Sequence, residues 1–143
     1  MKTLNKTTLI ILLFTIVMSA CQSNTSTESK TVNEPSVFFK NMQNGAILSS
    51  PFLVEMVVEC MEVEAAGEIN ALKGHHHIII NSDFITDGDI VPANAQHIHF
   101  GGGQIETTLD LDAGNYSLTL QFADGLHQSY GEGMSKTINV TVR

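Results

Sequence analysis

Five of the six histidines in this chain fall between Gly74 and Gly103, as His75-His76-His77 and His97-Ile98-His99, and the sixth, His127, follows in a turn-rich segment. Imidazole suits zinc, copper, iron and nickel, and Zn–N bonds of about 2.0–2.1 Å demand that several rings converge on one point. Residues two apart in a strand share a face. His75 and His77 therefore point one way and His76 the other, and His97 and His99 form a second same-face pair if Gln96 to Phe100 is extended. Two such pairs can bring four imidazoles together, provided their segments pair or face each other. His75, His77, His97 and His99 are thus the leading metal ligands for copper or zinc, with His76 an outlying addition because its ring diverges. Met61 and Met134 could add thioether sulfur, which would tilt the preference to Cu(I). A ligating ring also needs its second nitrogen held, and Asp83, Glu106 and Asp124 are acidic groups close by in sequence. The competing reading is a satisfied polar network in which the rings bond to backbone and to each other. A metal-dependent enzyme would further need an open coordination position beside an acid or base, for which Glu106 and Asp124 are the candidates.

Other chemistries find little support. Gly101-Gly102-Gly103 precedes a strand-like segment, whereas phosphate-cradling loops open a helix, so these glycines read as backbone freedom beside the site. There is no Gly-X-Ser-X-Gly, no His-Glu-X-X-His and no cysteine–histidine pair at a recognisable spacing. The His-X-His-Phe-Gly run is faintly similar to copper–zinc superoxide dismutases, but the rest of that family's ligand pattern is missing. The sequence favours a non-enzymatic module. With 15 acidic against 7 basic residues the formal charge is −8, and no basic cluster is present, which argues against nucleic acid as a partner.

The elements that must position the histidines read as short strands. Phe52 to Val63 alternates, with Phe52, Val54, Met56, Val58 and Cys60 on one face. Cys60 is accordingly expected to be a small buried hydrophobe. Val37–Phe39, Ala46–Leu48, His76–Asn81, Ile105–Leu111, Tyr116–Phe122 and Thr137–Val142 supply further strands, the fifth and sixth of these seven in chain order joined as a hairpin through Asp112–Asn115. Glu62–Leu72 reads as a loop with at most one helical turn, and Asp83–Asn94 as a loop long enough to suggest function. The sum is an all-β chain, an immunoglobulin-like β-sandwich of about seven strands over 36–143.

Ahead of that domain, Met1–Ala20 has Lys2 and Lys6 followed by the apolar run Leu9–Val17, nine residues that are too few to cross a bilayer core of about 30 Å. Met18-Ser19-Ala20-Cys21 is similar to a bacterial lipoprotein processing site. Residues 1–20 are thus expected to be a lipoprotein signal peptide, Cys21 the lipidated residue, and 21–35 a flexible polar tether. Gln22 is compatible with delivery to the outer membrane, which puts the mature protein in the bacterial cell envelope, on the periplasmic or surface side. Its N-terminal lipid makes the membrane a partner; a protein partner is not specified by the sequence.

Longer motifs carry a family resemblance. Gly74-His75-His76-His77-Ile78-Ile79-Ile80-Asn81, His97 through Glu106, Leu120 through His127, and Ser129-Tyr130-Gly131 with Met134-Ser135 resemble the bacterial domain-of-unknown-function family 4399, over about Val37 to Val142. That resemblance implies an extracytoplasmic β-sandwich without an established activity, and it adds His127 to the candidate ligands. The departures are Cys60, where glycine is expected, and Glu132-Gly133, where prolines are usual.

Overall fold

The computed structural model describes residues 34–143, so the expected signal peptide, Cys21 and nearly all of the tether lie outside the described residues. Nine strands and one 3-10 turn, Glu132–Met134, make up the described chain, which is all-β and forms two sheets, a β-sandwich. The smaller sheet is antiparallel, with β3 (Phe52–Glu59) between β1 (Ser36–Phe39) and β7 (Glu106–Leu109). The larger runs in the order β2 (Ala46–Leu48), β9 (Ser135–Val142), β8 (Gly114–Ala123), β5 (Lys73–Ile80), β4 (Glu62–Val63), and β6 (His97–His99) also pairs with β5. β2 on β9 and β4 on β5 are parallel, while β6 on β5 and both pairings of β8 are antiparallel.

Period-two patterning decides which side chains meet between the sheets. Val37, Phe39, Phe52, Val54, Met56 and Leu109 enter from the small sheet, and Ile78, Ile80, Leu118, Leu120, Phe122, Ile138, Val140 and Val142 from the large one. Each of these aliphatic or aromatic groups contributes roughly 1.5–3 kcal/mol on leaving water. Gly74 sits where β5 presses on β8: a Cβ there would lie 2.0 Å from the Ala123 carbonyl oxygen, so only hydrogen fits.

The structure departs from the sequence reading in three places. β7 and β8 do not form a hairpin: β7 pairs with β3 and β8 with β5 and β9, so Asp110–Ala113 crosses from one sheet to the other. Alternation tells that a strand has an inward face but not which sheet it joins, and four extended residues reach about 13 Å, enough for sheets about 10 Å apart. The strand expected over 52–63 is divided at Cys60, whose φ of 59° turns the chain and carries the thiol outward, so Cys60 is exposed rather than buried. A left-handed backbone there is also where the resemblance expects glycine. β5 begins at Lys73, earlier than the apolar pattern suggests, because β4 pairs with Lys73 and Gly74. The Glu62–Leu72 segment, beyond the two residues of β4, is the loop that the sequence leads one to expect, made of turns without helix.

Candidate metal centre

Alternate residues of β5 leave the sheet on opposite sides. His76 shares the inner face with Ile78 and Ile80, whereas His75, His77 and Ile79 point outward beside Ala123, Gln121 and Thr119 of β8. That outer face is not solvated: all six of these residues are 0 % exposed. Its cover is the long Asn81–Gln96 connection together with the turn after β8. Thr119 Oγ1 donates to the Ser82 carbonyl at 2.9 Å, and the Ile85 N–H donates to Gln121 Oε1 at 3.1 Å. Ser129 Oγ donates to the Ile85 carbonyl at 2.7 Å, and the Gly88 N–H to the Ser129 carbonyl at 2.9 Å. On its other side Gln121 Nε2 donates to the carbonyls of Gly131 and Met134, both at 3.1 Å. One buried amide thus ties two loops to β8.

Two more histidines enter from this cover. His99 of β6 stands directly opposite His77 in the β5–β6 ladder and so shares its face. His127 closes a turn shaped by Asp124, whose Oδ1 accepts the N–H of Leu126 at 2.8 Å and of Gln128 at 2.9 Å. The turn holds His127 at φ 66°, a left-handed conformation uncommon for a side-chain-bearing residue and one that concentrates at functional sites. Gly125 in the same turn lies so close to Glu68 that a Cβ would sit 1.7 Å from its carbonyl oxygen.

The rings converge on a single atom. His127 Nδ1 lies 2.9 Å from His75 Nε2, 3.2 Å from His77 Nε2 and 3.2 Å from His99 Nδ1. The ligand atoms of His75, His77 and His127 all fall within 4.8 Å of one another, a grouping that could hold a metal ion. An imidazole nitrogen carries either one hydrogen or one lone pair. At most one of the three contacts to His127 Nδ1 can therefore be a good hydrogen bond, and the others oppose like partners. A cation among the lone pairs turns that conflict into ligation. Tetrahedral geometry with bonds of 2.0–2.1 Å spaces nitrogens about 3.3 Å apart; the three contacts to His127 Nδ1, at 2.9–3.2 Å, are near that spacing, and the His75–His77–His127 set lies within 4.8 Å.

Electrostatics keep the rings in the form a metal needs. Burial, then the neighbouring imidazoles of His127 and His99, hold His75 down at a pKa of about 4 against an ordinary 6.5, with Asp124 opposing. Burial and the surrounding rings push His77 to about 2. His127 is also lowered, by burial and then by His99, against the pull of Asp124. Near neutral pH His75, His77 and His127 are thus uncharged, with lone pairs available.

The remaining sequence candidates are distributed elsewhere. His97 Nδ1 pairs with Asn94 Oδ1 at 2.8 Å rather than with another ring. His76 lies under Phe122, ring centroids 5.0 Å apart, on the inner face. Met134 is part of the hydrophobic core and Met61 packs against it. Glu106 belongs to the three-stranded sheet, paired with Glu55, and Asp83 is exposed. Asp124 serves the site indirectly, through the turn. Gln121 was not singled out by sequence, although one amide inside the apolar run Leu118–Ala123 is the signal that marks it.

Comparison with known families agrees with this region. The model of a domain of unknown function, DUF4399, matches residues 54–143, from β3 through the end of β9, and the chain belongs to that family. The match leaves out β1 and β2, which the sequence resemblance had included. No curated protein matches the chain, and no solved structure does.

Proposed function

We propose that this DUF4399 protein is a lipid-anchored, non-enzymatic module of the bacterial cell envelope that binds one transition-metal ion through His75, His77 and His127. The observation that carries the reading is the meeting of His75 Nε2 and His77 Nε2 with His127 Nδ1 at 2.9 and 3.2 Å, among nitrogens that hydrogen bonding alone does not satisfy. Among the described residues His75 Nδ1 and His77 Nδ1 have no partner, and an ion on the two Nε2 atoms would leave these Nδ1 atoms carrying the ring hydrogens. An all-imidazole set suits zinc or Cu(II); with Met134 in the core and Met61 packed against it, thioether ligation and the Cu(I) preference lose their support. The envelope location rests on the Met18–Cys21 processing motif and the polar tether.

The test uses the full-length chain in detergent, without a histidine tag. Zinc and copper are titrated against a chromophoric chelator, and bound metal is counted by mass spectrometry. One equivalent held tighter than about micromolar is expected, with His77→Ala weakening it by on the order of 100-fold or more. Metal at 100 times its Kd should also add about 2.7 kcal/mol of stability. Weaker binding, or a melting temperature that His→Ala lowers but metal leaves unchanged, would instead establish the rings as a structural network.

A further inference from the structure

The site is built in two halves, and the second half is larger than His127. β5 holds His75 and His77 on the rigid main chain of the six-stranded sheet. The other half hangs on two consecutive residues of the covering loop, Val91 and Pro92. The Val91 N–H donates to the His127 carbonyl at 2.9 Å, and the Pro92 carbonyl accepts from His99 Nε2 at 2.8 Å. Val91 itself is 1 % exposed, so this step of the loop is seated.

The contact to Pro92 fixes the chemistry of the ring. A carbonyl oxygen only accepts, so His99 carries its hydrogen on Nε2, and in the neutral ring Nδ1 is left with the lone pair. That nitrogen faces the cluster, 3.2 Å from His127 Nδ1, with ring centroids 4.5 Å from His77 and 4.8 Å from His127. A histidine whose outer nitrogen is bonded to a carbonyl and whose inner nitrogen is bare is the arrangement found around ligated metals.

Resting on the metal-binding reading above, we infer that His99 supplies a fourth ligand through Nδ1, with the Pro92 carbonyl as its positioning partner. The set is then Nε2 from His75 and His77 and Nδ1 from His99 and His127. His99 Nδ1 lies 3.2 Å from His127 Nδ1 but outside the His75–His77–His127 grouping, so binding must draw it inward; four protein nitrogens then close a tetrahedral site, whereas metal sites that do chemistry keep one position for water or substrate. The protein accordingly holds an ion instead of activating water on it. Because both outer ligands hang on Val91-Pro92, the ion also pins the covering loop to the sheet.

Zinc-loaded, 15N-labelled full-length protein distinguishes the possibilities through long-range 15N–1H spectra of the imidazoles. Four rings should show coordination, two at Nε2 and two at Nδ1, with His99 in the second pair. In the metal-free protein His99 should already carry its hydrogen on Nε2. Exchange of the Val91 amide should slow on adding zinc to the wild type and not in His99→Ala, which should bind zinc on the order of 100-fold more weakly. Zinc held by the other rings with the His99 ring unperturbed, or His99 coordinated through Nε2, would overturn the inference while leaving the three-histidine site standing. Absence of zinc binding altogether would remove both.

Discussion

His75 and His77 look out of the six-stranded sheet, His76 looks into the sandwich, and all three are 0 % exposed. On the inner face His76 meets Phe122 edge to face, and among the described residues neither of its ring nitrogens has a partner. On the outer face each Nε2 finds another imidazole, under a cover held by Gln121, Ser129 and Asp124. One step of register thus separates a ring set against Phe122 from two rings whose Nε2 atoms meet a third imidazole. The comparison teaches that burial alone does not mark a candidate ligand; the second observation, convergence of nitrogens, is what singles out His75 and His77.

Acid should affect both faces, and it gives the largest expected effect. His75 and His76 are depressed to about 4 and His77 to about 2, in each case chiefly by burial. The unfolded chain, titrating near 6.5, binds these protons first, so stability is fully present above pH 6.5 and falls as pH drops toward about 4, further for His77. Each histidine contributes a slope of up to about 1.4 kcal/mol per pH unit. Urea midpoints of metal-free protein at pH 7 and pH 5 should differ by several kcal/mol in the derived stability, and a flat profile would contradict the burial of all three. His76→Leu should reduce the slope without abolishing it.

The polar cover is the next largest effect. Replacing Gln121 by Leu strands the Ile85 N–H and the carbonyls of Gly131 and Met134. Unsatisfied buried groups cost about 1–3 kcal/mol each, so a loss of about 3 kcal/mol is expected in chemical denaturation, comparable to Leu120→Ala on the inner face. A change below about 1 kcal/mol would show that the outer face is held by something other than these bonds.

The smallest effect has the opposite sign. His76→Leu removes two unpartnered nitrogens from the core and should raise stability at pH 7 by about 1 kcal/mol, while zinc affinity stays within about threefold of wild type. A large loss of affinity in this variant would dissolve the distinction between the two faces.

Much of this was legible in the chain. The alternation of Phe52–Val58 and of Ile138, Val140 and Val142 specified strands and their inner faces, and the period of two divided the histidine triplet correctly between faces. What alternation does not encode is the partner. β7 could have paired with β8 by its pattern, and only packing between sheets sends it to β3. Cys60 obeyed the alternation as a letter, but a left-handed residue ends the strand there. The site was half legible. His75, His77 and His99 follow from spacing, whereas His127 depends on a turn closed by Asp124, and the roles of the Pro92 carbonyl and Gln121 depend on side-chain contacts 7 and 36 residues apart that alternation does not encode.

On the proposed metal-binding reading, the left-handed turn at His127 sets heat resistance and ligand capture against each other. Glycine would relax that backbone, which costs a side-chain-bearing residue on the order of 1 kcal/mol, and would delete the ring whose Nδ1 all the others approach. A library of variants enriched only for survival on heating would therefore drift toward glycine at position 127 and discard the centre. Enrichment in the presence of the ion would hold the histidine in place, so the two selections, run side by side, would read out at one codon what the turn is for.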